Sequence, residues 1–190
     1  MVNLFNYILA FFLLIFLTPL LIFIIILIIL TSGFPIFFIQ ERIGYKNKIF
    51  KLIKFRTMIK NNISDETRNI TNIGKFLRRY SIDEIPNLFN VLKGEMNIVG
   101  PRPLLVEYLD KYTSKQLKRH DVKPGITGLA QIRGRNKIDW EQKFKSDLEY
   151  VETRSIFLDI RIIFKTFIFL IVNSNNYDEN IIAKRFKGKE

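Results

Sequence analysis

The chain has 190 residues, with 30 Lys and Arg against 18 Asp and Glu, for a formal net charge of +12. All of these charges lie at or beyond Glu41, which leaves residues 1–40 without a charged side chain. This split excludes an ordinary soluble protein: it predicts an apolar membrane anchor over residues 1–40 and a basic domain over residues 41–190. The second part, about 150 residues, suits one domain that buries roughly 70% of its unfolded surface, which excludes a multidomain enzyme. With no cysteine and one histidine, a disulfide scaffold and a zinc ribbon are excluded as well.

From Tyr7 to Leu30 only Ala10, Thr18 and Pro19 interrupt a run of large apolar residues. As one helix these positions would reach about 36 Å, against a hydrocarbon core of about 30 Å. The run is too long for the apolar part of a signal peptide, and no basic residue precedes it. Pro19 removes a backbone hydrogen bond near the middle, and Thr18 can satisfy a freed carbonyl through its hydroxyl. Two geometries follow: a kinked span, or a re-entrant helix that leaves by the face it entered. Arg42, Lys46, Lys48, Lys51, Lys54 and Arg56 follow the anchor and place the domain on the cytoplasmic side.

In the domain, Ile36–Gln40 and Lys48–Met58 are rich in β-branched and aromatic residues and predict a hairpin closed at Gly44-Tyr45-Lys46-Asn47. Asn61–Asn69 reads as a polar loop and Ile73–Tyr80 as a short helix. Ser81-Ile82-Asp83-Glu84 then opens an amphipathic run with Ile85, Leu88, Phe89 and Leu92 on one face, closed by Gly94. Leu104–Tyr112 and Ser114–His120 read as helical, and Val122–Arg135 as an irregular glycine-rich stretch. Asp139 caps a helix to about Glu152. Ser155–Asn173 forms a last helix, whose Arg161 and Lys165 suit either the headgroup region of a membrane or packing on the core. The residues after Ser174 read as a basic tail. The fold class is α/β, mostly helical with a small hairpin.

Three blocks could carry chemistry. Ser81-x-x-Glu84 matches a capping box, with Asp83 in the first turn of a helix. The same carboxylates also sit among cations: Arg78 and Arg79 precede them, and Lys54, Arg56 and Arg102 could reach them. That arrangement suits a phosphate substrate, with a divalent metal bridging carboxylate and phosphate oxygens. Gly100-Pro101-Arg102-Pro103 presents one guanidinium on a backbone stiffened by two prolines, which suits phosphate binding or merely a turn. Lys123-Pro124-Gly125-Ile126-Thr127-Gly128, followed by Gly134-Arg135-Asn136, offers glycines that permit close backbone approach to a ligand. His120 reads as an exposed surface residue and Trp140 as core.

Together with Glu41-Arg42-Ile43-Gly44, Lys54-Phe55-Arg56-Thr57-Met58 and Ile85-Pro86-Asn87-Leu88-Phe89-Asn90, these blocks resemble the bacterial sugar transferase family. Within it the chain is similar to the small monotopic polyprenyl-phosphate phosphoglycosyl transferases, nearest the PglC type that starts protein N-glycosylation in some bacteria. The resemblance implies transfer of a phosphosugar from a UDP-sugar to undecaprenyl phosphate, with release of UMP. It makes Asp83 the nucleophile of a ping-pong route through a covalent phosphosugar, and gives Glu84 a supporting role at the acceptor phosphate or in orienting the pair. Mg²⁺ would bind at Asp83. Lys54, Arg78 and Arg102 fall on phosphate-binding positions, and Arg135 on a donor-binding one. Thr18-Pro19 matches the helix break, usually Ser-Pro, that makes the anchor re-entrant on the cytoplasmic face of the inner membrane. Leu129 stands where close relatives often carry an aromatic residue. The implied donor is an N-acetylated sugar, with a diacetamido-trideoxy sugar as one candidate, and the lipid-linked product would pass to downstream glycosyltransferases.

Two readings without chemistry compete: a basic adaptor that binds anionic membrane lipid through its charge, and a nucleic-acid binder. No recognisable RNA or DNA module accompanies the charge, so nucleic acid is not an expected partner.

Overall fold

The computed structural model describes residues 2–58, 70–134, 137–172 and 185–188. Helix α1 (Val2–Ser32) includes Pro19 and stays helical on both sides of it, so the expected break is a missing N–H rather than an unwound stretch. The Thr18 hydroxyl donates to the Leu14 carbonyl at 2.7 Å, not to the Ile15 carbonyl that proline leaves without its usual donor. By length and composition α1 could cross a membrane.

Its packing follows a repeat that composition conceals. Ala10, Leu14, Leu17, Leu21, Ile24 and Ile28, spaced alternately four and three apart, form one stripe against the domain. Ala10 and Leu14 pack with Leu88, Val91, Met96, Ile98 and Val99, while Ile24 and Ile28 pack with Phe55 and Leu77. At 1.5 Å per residue this stripe is about 27 Å long. Both ends are also tied by hydrogen bonds. Buried Asn6 accepts from the Ile98 N–H at 2.6 Å. Arg56 donates to the carbonyls of Phe34 (2.9 Å), Gly33 (2.6 Å) and Ser32, so this cation closes the carbonyl end of the helix. The opposite face, including Phe12, Phe16, Phe23 and Leu30, is exposed.

Strands β1 (Phe37–Ile43) and β2 (Ile49–Phe55) pair antiparallel with Phe37 opposite Phe55, as the hairpin pattern predicts. Helix α2 (Asn72–Arg79) follows, capped by the Thr71 side chain on the Gly74 N–H. Helix α3 (Asn87–Leu92) begins after Pro86, so the run expected from Ser81 is divided. It buries Leu88 and Val91, whereas Phe89 and Leu92 face outward. Asn90, fully buried, locks α3 to β2 by accepting from the Ile53 N–H (3.2 Å) and donating to the Lys51 carbonyl (2.7 Å).

Strand β3 (Asn97–Val99) pairs parallel with β4 (Gly125–Thr127), inside the stretch expected to be irregular. The glycines there serve the chain itself: a Cβ on Gly125 would meet the Gly100 nitrogen at 2.0 Å, and one on Gly128 the Gly100 carbonyl oxygen at 2.2 Å. Helices α4 (Ser114–Leu117), α5 (Leu129–Arg133), α6 (Trp140–Thr153) and α7 (Ile156–Val172) complete the helical layer. Asp139 caps α6 on the Gln142 N–H at 2.7 Å. Helix α7 packs one side on the core. Asp159 and Ile162 point inward, while Phe157, Ile160, Phe164, Phe167 and Ile171 are exposed.

Two expectations are corrected. His120 is buried, because it lies between Arg119 and the Tyr112 ring. The terminal segment is not all tail: Phe186 is buried among Tyr108, Tyr112, Trp140 and Phe144, and Arg185 pairs with Glu107 at 2.8 Å.

Candidate active site

The site is assembled where α2 ends. Ser81 adopts a left-handed conformation (φ 55°), which turns the chain out of α2 into a single 3-10 turn, Ile82–Glu84. In that conformation the Ser81 side chain makes no cap hydrogen bond, so the expected capping box is not formed. Glu84 turns instead to the cations. Its Oε1 accepts from Lys54 Nζ at 2.6 Å and from Arg102 at 2.7 Å, and its Oε2 from Arg102 at 3.3 Å. This forked contact with a guanidinium is the geometry for which arginine is suited. Lys54 is delivered by β2, held against α3 by Asn90, and Arg102 by the loop after β3.

Asp83 differs from its neighbour. It is 9% exposed, and among the described residues its side chain takes no hydrogen bond. Burial and the adjacent Glu84 charge push its pKa up to about 6, despite the opposing pull of Lys54, Arg78 and Arg102. For Glu84 burial acts in the same upward direction, but Arg102 and Lys54 outweigh it and hold the group well below the usual carboxylate range. Burial also lowers Lys54, against the pull of Glu84. Arg78 donates from Nε to the Thr57 hydroxyl at 2.8 Å and acts on Asp83 as a nearby charge.

Beside these groups lies a cleft lined by Arg42, Lys54, Glu84, Asn87, Arg102 and Gly125; Asp83 adjoins it without lining it. Arg42 reaches the Pro103 carbonyl (3.4 Å) and Gln40 (2.5 Å), and burial together with Arg102 lowers its pKa to about 10. Asn87 is buried with its Oδ1 unpartnered.

Of the six predicted chemical residues, Lys54, Arg78, Asp83, Glu84 and Arg102 converge, while Arg135 lies outside the described residues. Arg56, expected to reach the carboxylates, serves α1 instead. Arg42 and Asn87 belong to motif stretches already singled out, yet nothing in their spacing separates a cleft residue from its neighbours. Among the described residues no three His, Asp or Glu side chains gather into a metal cluster. Magnesium commonly needs only one or two carboxylates when substrate phosphates complete its shell. The buried, unbonded Asp83 fits that donor set.

Residues 1–173 match the description "bacterial sugar transferase". The chain belongs to the bacterial sugar transferase family. Among relatives, it is 48% identical over 165 residues to the uncharacterized sugar transferase EpsL of Bacillus subtilis, covering 84% of this chain and 82% of that one. The UDP-glucose:undecaprenyl-phosphate glucose-1-phosphate transferase of Klebsiella pneumoniae is 43% identical over 162 residues, 77% of this chain and 35% of its own. The UDP-N-acetylgalactosamine-undecaprenyl-phosphate N-acetylgalactosaminephosphotransferase of Aeromonas hydrophila is 38% identical, across 78% of this chain and 38% of its own. The chain thus spans most of the short relative and little more than a third of these two longer ones. Family membership and the apolar α1 make this a membrane-associated transferase.

Proposed function

We propose that the chain is a polyprenyl-phosphate phosphoglycosyl transferase, which moves a sugar phosphate from a UDP-sugar to undecaprenyl phosphate and releases UMP. The observation that carries this reading is the unequal condition of two adjacent carboxylates. Glu84 is neutralised by Lys54 and Arg102, while Asp83 stays unbonded beside them. The names of the Klebsiella and Aeromonas relatives, each a transfer from a UDP-sugar to undecaprenyl phosphate, support the same reaction class.

In the first step a carboxylate oxygen of Asp83 attacks the sugar-bearing phosphorus. The P–O bond to UMP breaks, and UMP departs with the electron pair. An oxygen of undecaprenyl phosphate then attacks the same phosphorus and displaces Asp83 as a carboxylate. A carboxylate titrating near 6 is mostly ionised at neutral pH, yet more basic and more nucleophilic than an ordinary aspartate. Glu84, bound on both oxygens, is too acidic for a base; it holds Lys54 and Arg102 in place. Those cations, with Arg78, offset the phosphate charge that would otherwise repel an approaching carboxylate. Mg²⁺, held by Asp83 and the donor diphosphate, would supply further charge neutralisation. Leu129 is buried and leaves the sugar open, so an N-acetylated donor stays the first to test.

The placement of α1 supports a monotopic protein at the cytoplasmic face of the inner membrane. Both ends of the helix are tied to one domain, Asn6 at β3 and Ser32 through Arg56. A spanning helix would carry one of those ends to the far side. A re-entrant anchor keeps both, with its exposed apolar face turned to lipid.

The test is UMP release by purified protein with Mg²⁺, undecaprenyl phosphate and a panel of UDP-sugars, beside Asp83→Asn. The expected result is lipid-dependent UMP from one donor, abolished by the substitution, with labelled UMP exchanging into that donor when lipid is absent. Wild-type turnover in Asp83→Asn refutes the nucleophile, and absence of exchange refutes the covalent route.

A further inference from the structure

The Arg102 side chain is the exposed end of a buried construction. Arg119, 2% exposed, is the largest fully buried side chain among the described residues and lies in the 3-10 turn Lys118–Asp121. Its Nε and one terminal nitrogen donate to Asp147 Oδ2 on α6 at 3.0 and 2.7 Å. The same terminal nitrogen donates to the backbone carbonyl of Arg102 at 2.7 Å. Its other nitrogen lies 3.3 Å from His120 Nε2. Asp147 is itself buried, so Arg119 is its hydrogen-bonded counter-charge, with Lys143 a further cation nearby, and both members of the pair lie beneath the surface rather than in the cleft.

A buried ion pair is a poor route to stability, since two apolar residues fill the same volume with less desolvation. It is well suited to fixing a geometry. Here the carbonyl it fixes belongs to the residue whose guanidinium grips Glu84, and Pro101 and Pro103 stiffen the backbone on either side. One terminal nitrogen makes both contacts, but the Nε bond to the same carboxylate oxygen fixes the guanidinium plane that aims it. Lysine has no counterpart to that second bond, so its ammonium, on a flexible stem, is not held at the Arg102 carbonyl.

We propose that Arg119 and Asp147 form a positioning pair that sets the Arg102 guanidinium at the transferred phosphate. This rests on the role assigned above to Arg102.

The experiment compares Arg119→Lys in two backgrounds, wild type and Arg102→Ala, reading UMP release at saturating donor and lipid together with the Michaelis constant and the melting temperature. In the wild-type background turnover should fall about tenfold with little change in the Michaelis constant. In the Arg102→Ala background the same substitution should change turnover less than twofold, since the positioned group is already gone. Equal losses in both backgrounds overturn the proposal, as does full turnover in Arg119→Lys. Should Arg119→Lys unfold, the joint change Arg119→Met with Asp147→Leu removes both buried charges and is read in the same two backgrounds by the same criterion. Wild-type turnover in Arg102→Ala alone would refute the role of Arg102 instead.

Discussion

Exchanging Glu84 for glutamine keeps the shape of the side chain, removes its charge and turns one acceptor oxygen into an NH2 donor. Three contacts depend on that charge: Lys54 at 2.6 Å and Arg102 at 2.7 and 3.3 Å. Removing one partner of a fully buried ion pair costs about 3–5 kcal/mol. Lys54 and Glu84 are close to that limit, with side chains 16% and 13% exposed, but Arg102 is 45% exposed and regains water. The expected loss is therefore about 2–3 kcal/mol. At about 2–4 °C per kcal/mol for a chain of this size, the melting temperature should fall by about 4–12 °C. Turnover should suffer more, because Lys54 and Arg102 now repel each other and splay from the phosphate position. Losing aligned charge of this kind typically costs about 10²–10³-fold. The assay is thermal unfolding of the detergent-solubilised protein alongside UMP release. A melting temperature within 1 °C of wild type and turnover within about threefold would show that Glu84 does not organise these cations.

His120 supplies a pH test. Burial and the Arg119 charge lower its pKa to about 3, below the ordinary value near 6.5, so the unfolded chain binds the extra proton first. Stability from this source is complete above pH 6.5 and is lost as pH falls toward 3; about 1.4 kcal/mol should disappear between pH 7.5 and 5.5. His120→Gln should flatten that part of the melting-temperature profile, and a parallel slope would refute it. Phe186→Ala should destabilise by about 3–5 kcal/mol, because it empties a site among four aromatic rings; an unchanged denaturation midpoint would show that the terminal segment is not part of the fold. Single cysteines at Asn3 and at exposed Lys187, in a chain with no other cysteine, should both resist an impermeant maleimide in intact cells and react in inverted vesicles. Labelling from opposite sides would establish a span.

The hairpin, the start of α6 at Asp139 and the cluster of Asp83 and Glu84 with Lys54, Arg78 and Arg102 were legible in the residues, because each depends on local pattern or on a motif. Ser81 was not. Its sequence context fits a helix cap, and the left-handed torsion that directs Glu84 to the cations belongs to a turn that packs on both α2 and β2, contacts distant in sequence that a local motif does not record. The α1 stripe was hidden for a different reason. Where every residue is large and apolar, periodicity has no contrast to reveal which face meets protein and which meets lipid. His120 and Phe186 were misjudged because charged neighbours in sequence say little about burial when those neighbours pair elsewhere. The glycines of Lys123–Gly128 read as room for a ligand, and the space they leave is taken by Gly100.

The α1 stripe also bears on how this protein can be made and inherited. Leu88, Val91 and Ile98 find their cover on the anchor, so removing the first helix would strip the domain of part of its own interior. Such a fragment should precipitate rather than become a convenient soluble enzyme. An unrelated membrane helix spliced in its place would restore attachment without restoring the matching side chains. Insertion and folding are thus coupled steps of one process, and the anchor is not an exchangeable part.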